Sequence, residues 1–248
     1  MKRFFRLMVF LIGLLLIINI GILGVRVGMG INLARDSEAF QFNNPGASKR
    51  VLIVGDSTGV GTGAASPEDS IAGRIARDFP WVEITNTAED GEKMVQVLTQ
   101  INALGDEAFD LVIVQAGGND ILRFTRLASL EQQLVDLLGA AGAKGGHVIF
   151  ISTGNVGLAP AFFAPISWVY TVRTRQVRDL FQRVSRELGV EYVDLFKERK
   201  DDPFLDDPHR FFARDLLHPG SEGYALWYEE IRRQTSLVMI LSPELSEN

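Results

Sequence analysis

Five short stretches that carry a strand signal, at residues 51–54, 82–87, 111–115, 148–152 and 190–195, constrain this chain more than any other feature. They alternate with stretches at 67–78, 92–104, 129–141, 167–188 and 220–238 whose apolar residues recur at helical spacing. A run such as Val51, Leu52, Ile53, Val54 is apolar on both faces of the pleat, so its sheet must be covered on both sides. Strands separated by helices pair in parallel. The expectation is therefore an α/β domain whose parallel five-stranded sheet lies between two helical layers.

Composition narrows the function. The 248 residues contain no visible internal repeat and suit one α/β domain with an appendage. Hydrophobic and charged fractions of 46% and 23% are those of a globular chain with a sizeable core, which excludes a disordered segment. A formal net charge of -6 offers no general attraction to phosphate backbones, so nucleic acid is not an expected partner. The absence of cysteine excludes disulfide frameworks, thiolate nucleophiles and thiolate zinc sites.

The amino terminus reads differently from the rest. Lys2, Arg3 and Arg6 precede an apolar run over 7–25 that is broken by Asn19 and three glycines. That length suits a helix crossing a hydrocarbon layer of about 30 Å. Residues 1–26 are thus expected to be an N-terminal transmembrane helix, with the membrane as a partner and the cationic end in the cytoplasm. The remainder of the chain is then extracytoplasmic, in a bacterial periplasm or at the cell exterior. A cleaved signal peptide competes, because Gly28, Met29, Gly30 form a weak small-x-small site and cleavage gives a secreted protein. The length of the run and Arg26 favour the uncleaved anchor. Residues 27–49, which contain the breaker cluster Asn43, Asn44, Pro45, Gly46, read as a tether to a domain over 50–248.

Residues able to do chemistry gather where strands end. Ser57 follows the first run in Gly55, Asp56, Ser57, Gly91 follows the second, and Asn119 follows the third in Gly117, Gly118, Asn119, Asp120. Asp215 and His218 stand on a loop before the last helix, whose start is marked by Pro219, Gly220 and Ser221. In parallel sheets, functional groups collect at the carboxyl ends of strands, so one shared site is expected. A serine hydroxyl needs an imidazole to take its proton, and the imidazole needs a carboxylate to fix its tautomer. Gly91 and Asn119 are candidate donors to a developing oxyanion. Each piece alone is commonplace: Gly-Asp-Ser is usually a strand-ending turn with a helix cap. Four pieces in this order are much harder to obtain by accident.

The set resembles the SGNH hydrolases, also called the GDSL family. The resemblance covers about residues 50–238 and implies a flavodoxin-like three-layer fold. It also implies hydrolysis of carboxylic esters, acyl or O-acetyl, without a cofactor. Carried over, it makes Ser57 the nucleophile, His218 the base and Asp215 its orienting acid. The oxyanion then falls to the backbone N–H groups of Ser57 and Gly91 and the side-chain amide of Asn119. Thr58 departs from the leucine that often follows the serine in this family, and Gly91 is the weakest match. An O-acyltransferase or a non-hydrolytic carbohydrate-binding protein on the same fold is the alternative. A glycine-rich phosphate cradle at Gly59, Gly61 and Gly63 is excluded, because the run lacks a Gly-Lys-Ser/Thr ending and G-x-G-x-x-G spacing.

Other residues have plainer readings. Asp120 is expected to hold its loop by accepting backbone N–H bonds. His147 reads as a core-edge residue, and His209, in an acidic cluster with Asp206 and Asp207, as part of a solvated loop and not a metal site. Residues 159–166 and Phe211, Phe212 are candidates for an acyl pocket or for loops packed on the domain, and Arg210 and Arg214 are candidates to attract an anionic substrate. The substrate is expected to be a small-molecule, glycan or lipid acyl ester.

Overall fold

The computed structural model describes residues 2–243. After a long helix α1 (Lys2–Asp36) come β1 (Lys49–Gly55), α2 (Ser57–Val60), α3 (Ile71–Asp78), β2 (Val82–Asn86), α4 (Met94–Ala103) and β3 (Phe109–Gln115). There follow α5 (Gly118–Leu122), α6 (Leu127–Lys144), β4 (Gly145–Ile151), α7 (Ile166–Leu188) and β5 (Glu191–Val193). The chain closes with α8 (Pro208–Phe211), α9 (Ser221–Gln234) and α10 (Leu237–Leu241).

All five strands pair in parallel, in the order β2-β1-β3-β4-β5. Alternate strand residues feed two cores. Val51, Ile53, Leu111 and Ile113 pack with Ile71 and Ile75 of α3 and Tyr224, Trp227 and Ile231 of α9. Leu52, Val54, Val112 and Val114 pack on the other face with Val97 of α4, Leu134 and Leu138 of α6, and Phe181 of α7. The apolar runs of β1, β3 and β4 are continuous because those strands serve both layers, whereas β2, with Val82 and Ile84 inward, alternates and serves one. The order reverses between β1 and β3, and in sheets of this kind the crevice at that reversal is where ligands bind.

Two elements differ from expectation. The helix expected at 220–238 ends at Gln234 and restarts as the short α10, with Thr235 between them in an extended conformation. The stretch 27–36, read as irregular tether, is helical to Asp36. Beyond it the chain lies along the edge of the sheet, where Phe42 and Ile84 exchange backbone hydrogen bonds of 3.1 and 2.9 Å and so cover β2.

The membrane expectation is corrected. Among the described residues no helix is long and apolar enough to cross a membrane. The transmembrane helix, the membrane as a partner and the membrane-anchored extracytoplasmic placement drawn from it therefore fall. The physical reason lies in the second half of α1, which is committed to protein and not to lipid. There the Arg26 guanidinium donates to the Pro160 carbonyl and lies over the Phe163 ring, and Asp36 pairs with Arg214 at 3.3 Å.

Candidate active site

Ser57 opens α2 immediately after β1, and its position is set by the groups beneath it. Asp56 caps that turn: its carboxylate accepts from Thr58 N at 2.9 Å and from Thr58 Oγ1 at 2.8 Å. Thr58, the departure from the family's usual leucine, thus satisfies a carboxylate that is only 2% exposed. Burial pushes the Asp56 carboxyl up to about 6, against the pull of the Thr58 bonds and the charge of His218. The Asp56 N–H donates to Gln115 O at 2.9 Å, tying the serine turn to the end of β3.

The histidine arrives from the other end of the chain. The loop 213–220 is closed by Ala213 N donating to His218 O at 2.8 Å and Leu216 N donating to Ala213 O at 2.9 Å. Leu216 takes a left-handed conformation with φ of 57°, uncommon for a branched residue and held here by those bonds. Asp215, 1% exposed, accepts from the N–H groups of Leu217 and His218 at 3.0 and 3.1 Å, while its second oxygen lies 2.6 Å from His218 Nδ1. Burial raises the Asp215 carboxyl, but the hydrogen bond and charge of His218 and the two N–H donors outweigh it and leave it below the ordinary carboxylate value.

His218 Nε2 lies 3.0 Å from Ser57 Oγ. Because the carboxylate accepts a hydrogen bond from Nδ1–H, Nε2 is left as an acceptor facing the hydroxyl. Ser57, Gly91, Asn119, Asp215 and His218 all line one cavity of about 870 Å³. Gly91 has φ of 77° in the turn after β2, and Asn119 stands in the first turn of α5. Asp120 does not join them. It is buried and accepts from Met94 N at 2.9 Å and Thr125 Oγ1 at 2.7 Å, holding α4 and the end of α5 together.

Several contributors are not legible in the sequence. Gln100 of α4 exchanges two 2.9 Å hydrogen bonds with the backbone of Gly55, clamping the strand end two residues before Ser57. Asp90 accepts from Thr62 Oγ1 at 2.6 Å and lines the cavity, with its pKa raised by burial. Glycine at 63 permits the serine loop to touch the histidine loop, and the run of glycines from Gly59 is its only sequence signal. The second half of α1 also lines the cavity, which nothing in its sequence announces.

Other expectations resolve simply. Ala159, Ala161, Phe162 and Phe212 line the cavity, and Arg214 pairs with Asp36. Arg210 pairs at 3.3 Å with Glu222 on the surface. His147 is exposed rather than core-edge, because β4 projects beyond its cover at that end, and His209 is exposed as well.

The model of the GDSL-like Lipase/Acylhydrolase family matches residues 53–226, more than half of the chain. The chain belongs to this family. The esterase TesA of Pseudomonas aeruginosa is 29% identical over 131 residues, 50% of this chain and 64% of that protein. A GDSL-like esterase of Mycobacterium tuberculosis is 25% identical over 187 residues, 71% of this chain and 58% of that protein. The match thus spans less than two thirds of either relative. Among solved structures, a member of the lipolytic protein G-D-S-L family from Veillonella parvula superposes with a TM-score of 0.57 at 18% identity. That alignment covers 74% of this chain and 96% of the other, and it shows the shared fold. The GDSL match begins at residue 53, so α1 lies outside it.

Proposed function

We propose that the protein hydrolyses carboxylic esters through an acyl-enzyme, with a hydrolase domain over 50–248 and the residues before it as an addition. The observation that carries this reading is the relay from Ser57 Oγ to His218 Nε2 at 3.0 Å and from His218 Nδ1 to Asp215 at 2.6 Å, opening into a large cavity.

His218 removes the Ser57 proton as the hydroxyl attacks the ester carbonyl, and Asp215 steadies the imidazolium that forms. The carbonyl oxygen becomes an oxyanion, held by the backbone N–H groups of Ser57 and Gly91 and the side-chain amide of Asn119. As the tetrahedral species collapses, the imidazolium returns its proton to the leaving alcohol and the acyl group stays on Ser57. Water, deprotonated by the same imidazole, then releases the acid and restores the hydroxyl. Supporting this order, the buried Asp215 has its pKa held low and stays ionised while His218 gains and loses its proton.

The test is covalent. The full chain should react with a fluorophosphonate probe and cleave p-nitrophenyl acetate, and Ser57→Ala should lose both. Probe labelling that persists in Ser57→Ala overturns the assignment of the nucleophile.

A further inference from the structure

The family match begins at residue 53, yet the cavity is lined on one side by residues of α1, well before it. Leu23, Val27, Ile31 and Ala34, at intervals of four, four and three, fall on one stripe of α1, and all four line the same cavity as Ser57. Val27 and Ile31 are still 53% and 50% exposed, so apolar surface stands open beside the reacting groups.

The position of the helix is set at three points. The Arg26 guanidinium donates to the Pro160 carbonyl and covers the Phe163 ring, and Asp36 pairs with Arg214, one residue before Asp215. Between them Gly30 presents no side chain: a Cβ there would sit 3.2 Å from Asp215 Oδ2 and 3.9 Å from His218 Cε1. The helix backbone therefore comes down beside the histidine and carboxylate themselves. The loop 159–162 lines the same cavity and is held by its own contacts: Ala161 N donates to Leu216 O at 3.1 Å and Phe162 packs on Tyr170 with ring centroids 4.5 Å apart. One wall is thus firm, and the other is a helix the rest of the family domain does not supply.

We infer that α1 is a wall of the acyl-binding pocket and that the cavity takes the hydrocarbon chain of a medium- or long-chain acyl ester. The stripe Leu23, Val27, Ile31 packs along one side of that chain and Ala161 and Phe162 along the other. This rests on Ser57 being the acylated residue and adds the substrate class. A cavity of about 870 Å³ is far larger than an acetyl group requires, and a long acyl chain removes from water the apolar surface that Val27 and Ile31 leave exposed. Each methylene buried is worth about a fourfold gain in kcat/KM.

The experiment compares p-nitrophenyl acetate with p-nitrophenyl octanoate on the full chain, on Val27→Trp, which fills the pocket, and on Ile31→Asp, which charges it without filling it. In the wild type the octanoate-to-acetate ratio of kcat/KM should exceed tenfold, and each variant should lower that ratio at least tenfold. A wild type that prefers acetate, or a ratio that neither variant changes, overturns the inference. Ser57→Ala separates the two claims: if it cleaves both esters at the wild-type rate the nucleophile is elsewhere, while the ratio in the α1 variants still reports on the wall.

Discussion

Gly63 and Pro219 touch so closely that a Cβ on the glycine would lie 2.5 Å from the Pro219 carbonyl oxygen and 3.1 Å from His218 Cβ. This contact brings the serine-bearing loop against the histidine-bearing loop, and Gly63 adopts φ of 98° to make it. Gly63→Ala both crowds the carbonyl and places a side chain in the left-handed region. Turnover on p-nitrophenyl acetate should fall at least tenfold, since misplacing a catalytic group by about 1 Å costs on the order of a hundredfold. Unchanged kcat in Gly63→Ala would show that the loop contact does not position His218.

Asn119 is assigned to the oxyanion and Asp215 to the imidazolium, and their variants should separate. Asn119→Ala should lower kcat by on the order of a hundredfold to a thousandfold with little change in Tm. Asp215→Asn should lower kcat further and also destabilise. The Asp215 carboxyl lies below its unfolded value in the folded chain, so the stability it contributes is present above the unfolded pKa and is lost as pH falls through the folded one. Urea unfolding from pH 2 to 6 checks the sign: the wild-type advantage over Asp215→Asn should grow as pH rises.

Asp56 should show the opposite slope. Its carboxyl is raised from 3.8 to about 6 by burial, so the folded chain holds that proton more tightly than the unfolded chain. Between about pH 4 and pH 6 stability from this group falls as pH rises, and above pH 7 it is constant. The difference in unfolding free energy between wild type and Asp56→Asn should decline across that window by on the order of 2 kcal/mol. A difference that rises with pH would mean that the Thr58 bonds outweigh burial.

Gln100 satisfies both backbone groups of Gly55 from the side of α4. Gln100→Leu keeps the bulk and leaves the buried Gly55 N–H unpaired, at about 1–3 kcal/mol, while the Gly55 carbonyl still accepts from Glu89 N at 3.0 Å. Tm should drop by roughly 2–12 °C for a chain of this size. An unchanged Tm would mean that water or another group satisfies Gly55.

Much of this arrangement is legible in the order of the residues. Double-faced apolar runs place β1, β3 and β4, which bury residues on both faces of the sheet; β2 alternates and buries one face, and β5 is shorter and half-buried. Ser57, Gly91, Asn119, Asp215 and His218 stand out because each lies beside a strand end or helix start, and they line one cavity. Thr58 looks like a departure and proves to be the partner of Asp56. The amino terminus reads wrongly as a membrane span: the run over 7–25 suggests one, but among the described residues no helix is long and apolar enough to cross a membrane. Local apolar composition also does not announce that α1 continues to Asp36 and that Leu23, Val27 and Ile31 line a pocket.

Local pattern, then, determined the layers, the strand periods and the order of the candidate site residues, because pleat alternation, helical spacing and turn chemistry are written in neighbouring positions. Tertiary structure alone decided that Gln100 clamps Gly55, that Gly63 admits Pro219 and that α1 descends on Asp215. Those are contacts between surfaces brought together by the fold of the whole sheet, between residues separated by tens to nearly two hundred positions, and no local period encodes which surfaces will meet.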